Sequence, residues 1–251
     1  SHFANVLRRL KRVCAFYGAF PQFVLTSATI GNPQELAEKL IESRVHLIDK
    51  DGSQHGEKQF IIYNPPMVDQ QLGIRKSALI TGVNFAKELI ENEHQTLIFA
   101  RTRRTVEMIL TYLRDTLSIQ DKNKVRGYRS GFLKKERREI ESDFRKGDLK
   151  AVVSTSALEL GIDIGDLESV ILVGYPGSIA TTKQRAGRAG RKNQSAMAML
   201  IPTPDALDQY LARHPEYIID QNPENALIDP DNLSILTQHV LCASFELPFS
   251  A

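Results

Sequence analysis

Apolar residues along this chain alternate between stripes with a period near 3.6 and short unbroken runs, and that alternation is the first guide to architecture. Phe3, Val6, Leu7, Leu10, Val13, Cys14 and Tyr17 share one helical stripe, with Arg8, Arg9, Lys11 and Arg12 opposite and Gly18 as the stop. Phe23 to Leu25 read as a buried strand ending in Thr26-Ser27-Ala28-Thr29. Asn32 then caps a helix, with Pro33 in its first turn, Glu35 three residues on from the cap, and Leu36, Leu40 and Ile41 as the apolar face. Val45 to Ile48 and Phe60 to Tyr63 predict two strands flanking Asp51-Gly52, a hairpin-like turn signal. Asn64-Pro65-Pro66 closes this stretch as a linker.

From about residue 70 helix and strand alternate regularly. A helix through Leu79, Val83, Ala86 and Ile90 leads to a strand at Thr96 to Phe99, and a helix through Val106, Ile109, Leu110 and Leu113 leads to a strand at Val125 to Tyr128. The charged segment Lys134 to Arg145, followed by Gly147, leads to a strand at Ala151 to Val153. Strands at Val170 to Val173 and Ala196 to Ile201 bracket an arginine-rich helix. Such alternation predicts an α/β fold, a parallel sheet with helices on both faces, which binds ligands at the carboxyl ends of its strands. Past Pro202 the pattern loosens, and Asn232 to Ala243 predict one more helix, with Leu233, Leu236, Val240 and Leu241 inward. The expected domains are residues 1–63, 64–205 and a helical extension over 206–251.

Composition narrows the function classes. The 251 residues are 42% hydrophobic, enough for one large core or two smaller ones, and the net charge of +2 produces no global basic field. Basic residues are clustered instead. Lys183 to Lys192 holds five of them and no acid, and Arg101, Arg103 and Arg104 form a second group. Cys14 and Cys242 are far apart and form no C-x-x-C, which argues against structural zinc and against a disulfide scaffold. No apolar run reaches the eighteen or so residues of a membrane span and the amino terminus is no signal peptide, so the expected location is cytoplasmic.

Gln184-Arg185-Ala186-Gly187-Arg188-Ala189-Gly190-Arg191 concentrates the chemistry. Arginine keeps its charge and presents a planar fork that matches phosphate. Three helical residues turn roughly 300°, so Arg188 and Arg191 are expected on one face. A glycine costs a helix interior about 1 kcal/mol relative to alanine, so Gly187 and Gly190 imply close approach of another group. The alternative is a solvated basic helix. Hydroxyls after a buried strand, in Ser154-Thr155-Ser156, can donate to a phosphate or simply cap the next helix. Thr102 likewise follows a strand and precedes a helix, where it can cap while facing an anion.

Taken in order, Ser27-Ala28-Thr29, Leu97 to Arg103, Ser154 to Asp163 and Gln184 to Arg191 resemble motifs three to six of superfamily 2 helicases. His2-Phe3-Ala4-Asn5, Ser156 to Gly165 and Gly174-Tyr175-Pro176-Gly177-Ser178 are similar to the mitomycin repair factor A type of DNA helicase, related to the RecQ group. The resemblance implies a second RecA-like domain preceded by the carboxyl-terminal portion of a first one. It implies insertion of Arg188 and Arg191 across an interdomain cleft onto the ATP γ-phosphate, with Gln184 orienting the phosphate or the attacking water. It also assigns Gly161 and Asp163 to the nucleotide, Arg101, Thr102 and Thr155 to the nucleic-acid backbone, and Ser27 and Thr29 to coupling of hydrolysis to movement. The implied partner is DNA, single-stranded or as a 3′-tailed duplex, with 3′ to 5′ polarity and a role in repair.

Neither G-x-x-x-x-G-K-[ST] nor Asp-Glu-x-His occurs in the chain. ATP and Mg²⁺ are therefore expected to be held mainly by an amino-terminal half of the helicase core, with these residues inactive as an ATPase alone. No metal site is expected in the chain itself. Two other classes stay open: a non-catalytic nucleic-acid-binding module, and a protein-interaction domain on a RecA-like scaffold.

Overall fold

In the computed structural model the described residues are 1–27, 29–50, 52, 57–129, 131–158, 167–190 and 196–249. They divide into two compact units, one formed by Ser1–Asp51 with Pro223–Ala251, the other by Gly52–Asn222.

The first unit packs helix α1 (His2–Phe16) against α2 (Pro33–Ile41) and α10 (Leu233–Glu246). Its buried apolar contacts are few and small: Ala4, Leu7, Ala37, Ile41 and Ala243. Polar clamps supply the rest. Arg8 pairs with Glu42 at 2.6 Å and Asp231 at 2.8 Å, and Arg9 pairs with Glu246. The Arg12 guanidinium donates to the carbonyls of Ala243 and Leu247, at 2.7 and 2.6 Å, and so covers the open end of α10. The basic face of α1 thus meets its neighbours, while Phe3, Val6 and Leu10 of the apolar stripe face solvent, the reverse of the simple amphipathic expectation.

Three other expectations for this unit fail. Phe23 to Leu25 form no strand and Val24 is 88% exposed, because no described strand of the unit is there to pair with them. Val45 to Ile48 likewise form no strand. On α10, Leu233, Val240 and Leu241 point outward, Leu236 is half-buried as expected, and Ile235, His239 and Ala243 supply the rest of the covered side. Asn32 does stand at the start of α2, but its side chain bonds Glu35 and the Ala226 amide rather than capping the helix.

The second unit is built on a six-stranded sheet in the order β1-β8-β7-β4-β6-β5, every neighbour parallel. Its strands are β1 (Lys58–Ile62), β4 (Thr96–Ala100), β5 (Val125–Tyr128), β6 (Ala151–Ser154), β7 (Ser169–Val173) and β8 (Ala196–Ile201). Residues 58–62 pair parallel with β8, so the expected hairpin across Asp51-Gly52 is replaced by an edge strand of this sheet. A separate antiparallel pair, β2 (Met67–Asp69) with β3 (Ile74–Arg75), follows the expected linker and was not predicted.

Alternate residues of each strand feed two cores, as a period of two requires. Ile98, Ala100, Val153, Ile171, Val173 and Met199 face α3 (Ala78–Glu91) and α4 (Arg103–Thr116). Leu97, Phe99, Val152, Val170, Leu172 and Leu200 face residues of α6 (Lys134–Lys146), α7 (Ile179–Ala186), α8 (Ala206–Arg213) and α9 (Glu216–Ile219). A short helix, α5 (Ile119–Lys122), precedes β5. This is the doubly covered parallel sheet that the alternation predicts.

Candidate functional site

Strand order locates the site. The chain passes from β4 outward to β5, returns to β6 beside β4, then crosses to β7 on the other side of β4. A reversal of that kind leaves a crevice at the carboxyl ends of the strands flanking the switch. Arg101 and Thr102 follow β4, Thr155 follows β6 and Gly174 follows β7, so the three expected nucleic-acid residues stand at that edge.

Thr102 is the cap of α4, accepting a hydrogen bond from the Thr105 amide at 3.1 Å, and remains exposed. Arg101 is half-exposed and its Nη1 donates to Asp205 Oδ2 at 2.6 Å. Ser154, by contrast, is fully buried and its hydroxyl donates to the Tyr128 carbonyl at 3.2 Å, which spends it on the β5–β6 seam. Thr155 is half-buried and Ser156 exposed. Beside them Tyr128 is buried and donates to Glu141 at 2.6 Å; desolvation, then the neighbouring carboxylate, push its phenol up to about 12.

The arginine run departs from expectation in one respect. Helix α7 ends at Ala186, with Ser178 capping its start through the Thr181 amide at 3.0 Å. Gly187 still donates to the Lys183 carbonyl at 2.7 Å, but Arg188 and Ala189 bond back only three residues, to Arg185 and Ala186 at 3.1 Å. Gly190 then turns to φ 151° and donates to Leu167 at 3.0 Å. Arg188 therefore lies in a tightened turn after the helix, half-buried, and the expected face it would share with Arg191 lies outside the described residues. The glycine at 190 is required by the positive φ, not by a close neighbour. Gln184, four residues before Arg188, is half-buried in the last turn of α7. Arg185 is 7% exposed, its guanidinium 5.1 Å from the centroid of Phe99, and Lys183 donates to the Gln221 carbonyl at 2.8 Å. Those two are spent on packing.

Arg191, Gly161, Asp163 and Ala28 lie outside the described residues. In the first unit, Ser27 is exposed, and Thr29 is half-buried with a hydroxyl oxygen that is out of water and has no hydrogen-bond partner among the described residues. Among the described residues no group of three or more His, Cys, Asp or Glu side chains could hold a metal, and no helix is long and apolar enough to cross a membrane. The donor set is suited to an anion: guanidinium, amide and hydroxyl groups at one edge of a parallel sheet.

Sequence reasoning missed Asp205, which pairs with Arg101, and Asp208, which joins the chain after β7 to the chain after β8. The available signal, for Asp205 alone, was an aspartate after a strand end and just before a helical pattern.

The family profile described as Helicase conserved C-terminal domain matches residues 81–193. An ATP-dependent helicase of Bacillus subtilis, YprA, is 50% identical over the whole of this chain, which covers 34% of that protein. The ATP-dependent helicase hrq1 of Schizosaccharomyces pombe is 36% identical over 99% of the chain, covering 24% of its own length. A crystal structure of the DUF1998 helicase MrfA bound to DNA superimposes with a TM-score of 0.96 at 49% identity, over all of this chain and 34% of that one. The same helicase bound to DNA and AMPPNP gives 0.94 over 99% of this chain and 35% of its own. The chain thus spans about a third of the length of the helicases YprA and MrfA.

Proposed function

We propose that the chain, whose residues 81–193 match the helicase conserved C-terminal domain profile and whose second unit has the RecA-like fold, is part of an ATP-dependent DNA helicase or translocase. It would supply the second RecA-like domain, preceded by the carboxyl-terminal portion of a first, to a cytoplasmic repair enzyme of 3′ to 5′ polarity. The observation that carries the reading is the arrival of Arg101, Thr102 and Thr155 at one carboxyl edge around the switch strand β4. A motor that grips phosphates needs donors there and needs no base contacts.

ATP, when bound, supplies the phosphoryl bond whose cleavage drives movement. Arg188 would neutralise charge developing on the γ-phosphate, and Gln184 would orient the attacking water. Arg191, Gly161 and Asp163 are assigned to the same nucleotide by motif position alone. Mg²⁺ and most of the triphosphate would be held by the amino-terminal half of the core, since the chain has neither a P-loop nor an Asp-Glu-x-His box. Ser27 and Thr29 would couple hydrolysis to strand movement. The uncovered apolar residues Phe3, Val6, Leu10 and Val24 support the view that the first unit is a portion of a larger domain, because such surface is otherwise costly.

The test uses the full-length protein. Arg188→Ala is expected to lower DNA-stimulated ATP turnover by roughly 10³-fold with little change in DNA affinity. Wild-type turnover in both Arg188→Ala and Arg191→Ala would remove the arginine-finger assignment.

A further inference from the structure

We propose that Asp205 is a positioning residue for the nucleic-acid grip, holding the Arg101 guanidinium in a phosphate-ready orientation above a socket made by Gly174, Thr203 and Asp208. The inference rests on the reading above that Arg101 holds a backbone phosphate.

The socket begins with Asp208, a carboxylate only 2% exposed. One of its oxygens accepts from the Tyr175 amide at 3.1 Å, the Thr203 amide at 2.7 Å and the Thr203 hydroxyl at 2.8 Å. Those bonds join the chain just after β7 to the chain just after β8. Between them Gly174 has φ 82°, and a Cβ added there would meet Arg101 Cδ and Thr203 Cγ2 at 3.1 Å each. The stem of Arg101 therefore lies against bare glycine backbone, and the position admits no side chain without displacing it.

Asp205 controls the other end of the same side chain. It occupies the residue before α8, where aspartate ordinarily caps the helix, yet it makes no capping hydrogen bond. Its carboxylate instead accepts from Arg101 Nη1 at 2.6 Å. The Arg101 and Asp205 side chains are 48% and 60% exposed, so the guanidinium emerges from the socket with one arm engaged and stays open to solvent at the strand edge. An arginine gives up rotamer freedom when it grips an anion, and a head already oriented gives up less. Thr203, Asp205 and Asp208 all lie beyond residues 81–193, so the grip extends outside the segment that defines the family.

The experiment measures binding of a fluorescein-labelled single-stranded oligodeoxynucleotide to the full-length protein across a salt series. The variants are Arg101→Ala, Asp205→Asn, Asp205→Glu and the double variant Arg101→Ala with Asp205→Asn, with melting temperatures recorded alongside. Arg101→Ala is expected to weaken binding and to reduce the salt slope by about one unit. Asp205→Asn should weaken binding about threefold while keeping the slope, since no phosphate contact is removed, and Asp205→Glu should recover part of the loss. In the Arg101→Ala background, Asp205→Asn should change nothing further, because its effect runs through Arg101. Tighter binding by Asp205→Asn, unchanged binding, or equal loss in both backgrounds would each overturn the proposal. Wild-type affinity and slope in Arg101→Ala would instead show that the reading of Arg101 itself is wrong.

Discussion

Single side chains in this protein acquire their roles from what lies beyond their own element. Ser154 and Thr155 are adjacent hydroxyls in one motif, yet the first is sealed against the Tyr128 carbonyl and the second reaches the strand edge. Arg185 and Arg188 share one run, yet the first stacks on Phe99 inside the core and the second follows the helix end. Tyr128 offers a measurable consequence. Its phenol is raised above the unfolded value near 10 to about 12, so the neutral form is favoured in the folded state. The stability this contributes is complete below pH 10 and is lost as pH rises through about 12. Tyr128→Phe should flatten that part of the pH profile, measured as the denaturation midpoint between pH 9 and about 12 against wild type. Identical profiles would show that the phenol is not held neutral by folding. The hydroxyl's partner, Glu141, cannot be inferred from spacing, because it sits on α6 thirteen residues away and meets Tyr128 only when helix and strand pack.

Helices and strands fall into two classes by how they were recognised. Those of the second unit match their periodicity closely: α3, β4, β5, β6, β7 and β8 begin and end within a residue or two of the apolar pattern, and α4 within three. Local signals sufficed because α3 and α4 carry their own side-chain caps and each of these elements its own buried residues. Thr102 shows this on α4, and Thr102→Ala should cost about 1 kcal/mol in chemical denaturation, with Thr102→Ser recovering most of it. No loss in Thr102→Ala would mean that the cap contributes nothing. Elements that depend on a partner were misread. Residues 23–25 and 45–48 have strand composition without a strand to join among the described residues of their unit, and residues 58–62 chose β8 over the hairpin suggested by Asp51-Gly52. The end of α7 was misplaced because glycines three residues apart are compatible with a continued helix or a tightening turn, and the bond from Gly190 to Leu167 selects the turn.

At the scale of the whole chain, the missing P-loop dominates the prediction: assayed alone, the 251 residues should show no DNA-stimulated ATP turnover. Turnover at the rate of a full-length relative would overturn the division of labour proposed above. Fold class and the order of the motifs were legible from the residues, since period-two and period-3.6 patterns and strand-end chemistry are local properties. Arg101, Thr102 and Thr155 could be placed after buried strands, at the ligand edge of a parallel sheet, while their assignment to a nucleic-acid backbone came from the motif resemblance. Their convergence could not. It follows from β4 lying between β6 and β7, an order set by long-range pairing that no window of sequence encodes. The socket beneath Arg101 belongs to the same category: Gly174, Thr203 and Asp208 are separated by up to 34 residues and become neighbours only because β7 and β8 run side by side. Residue chemistry thus settles which groups can hold a phosphate, and sheet pairing settles which of them meet.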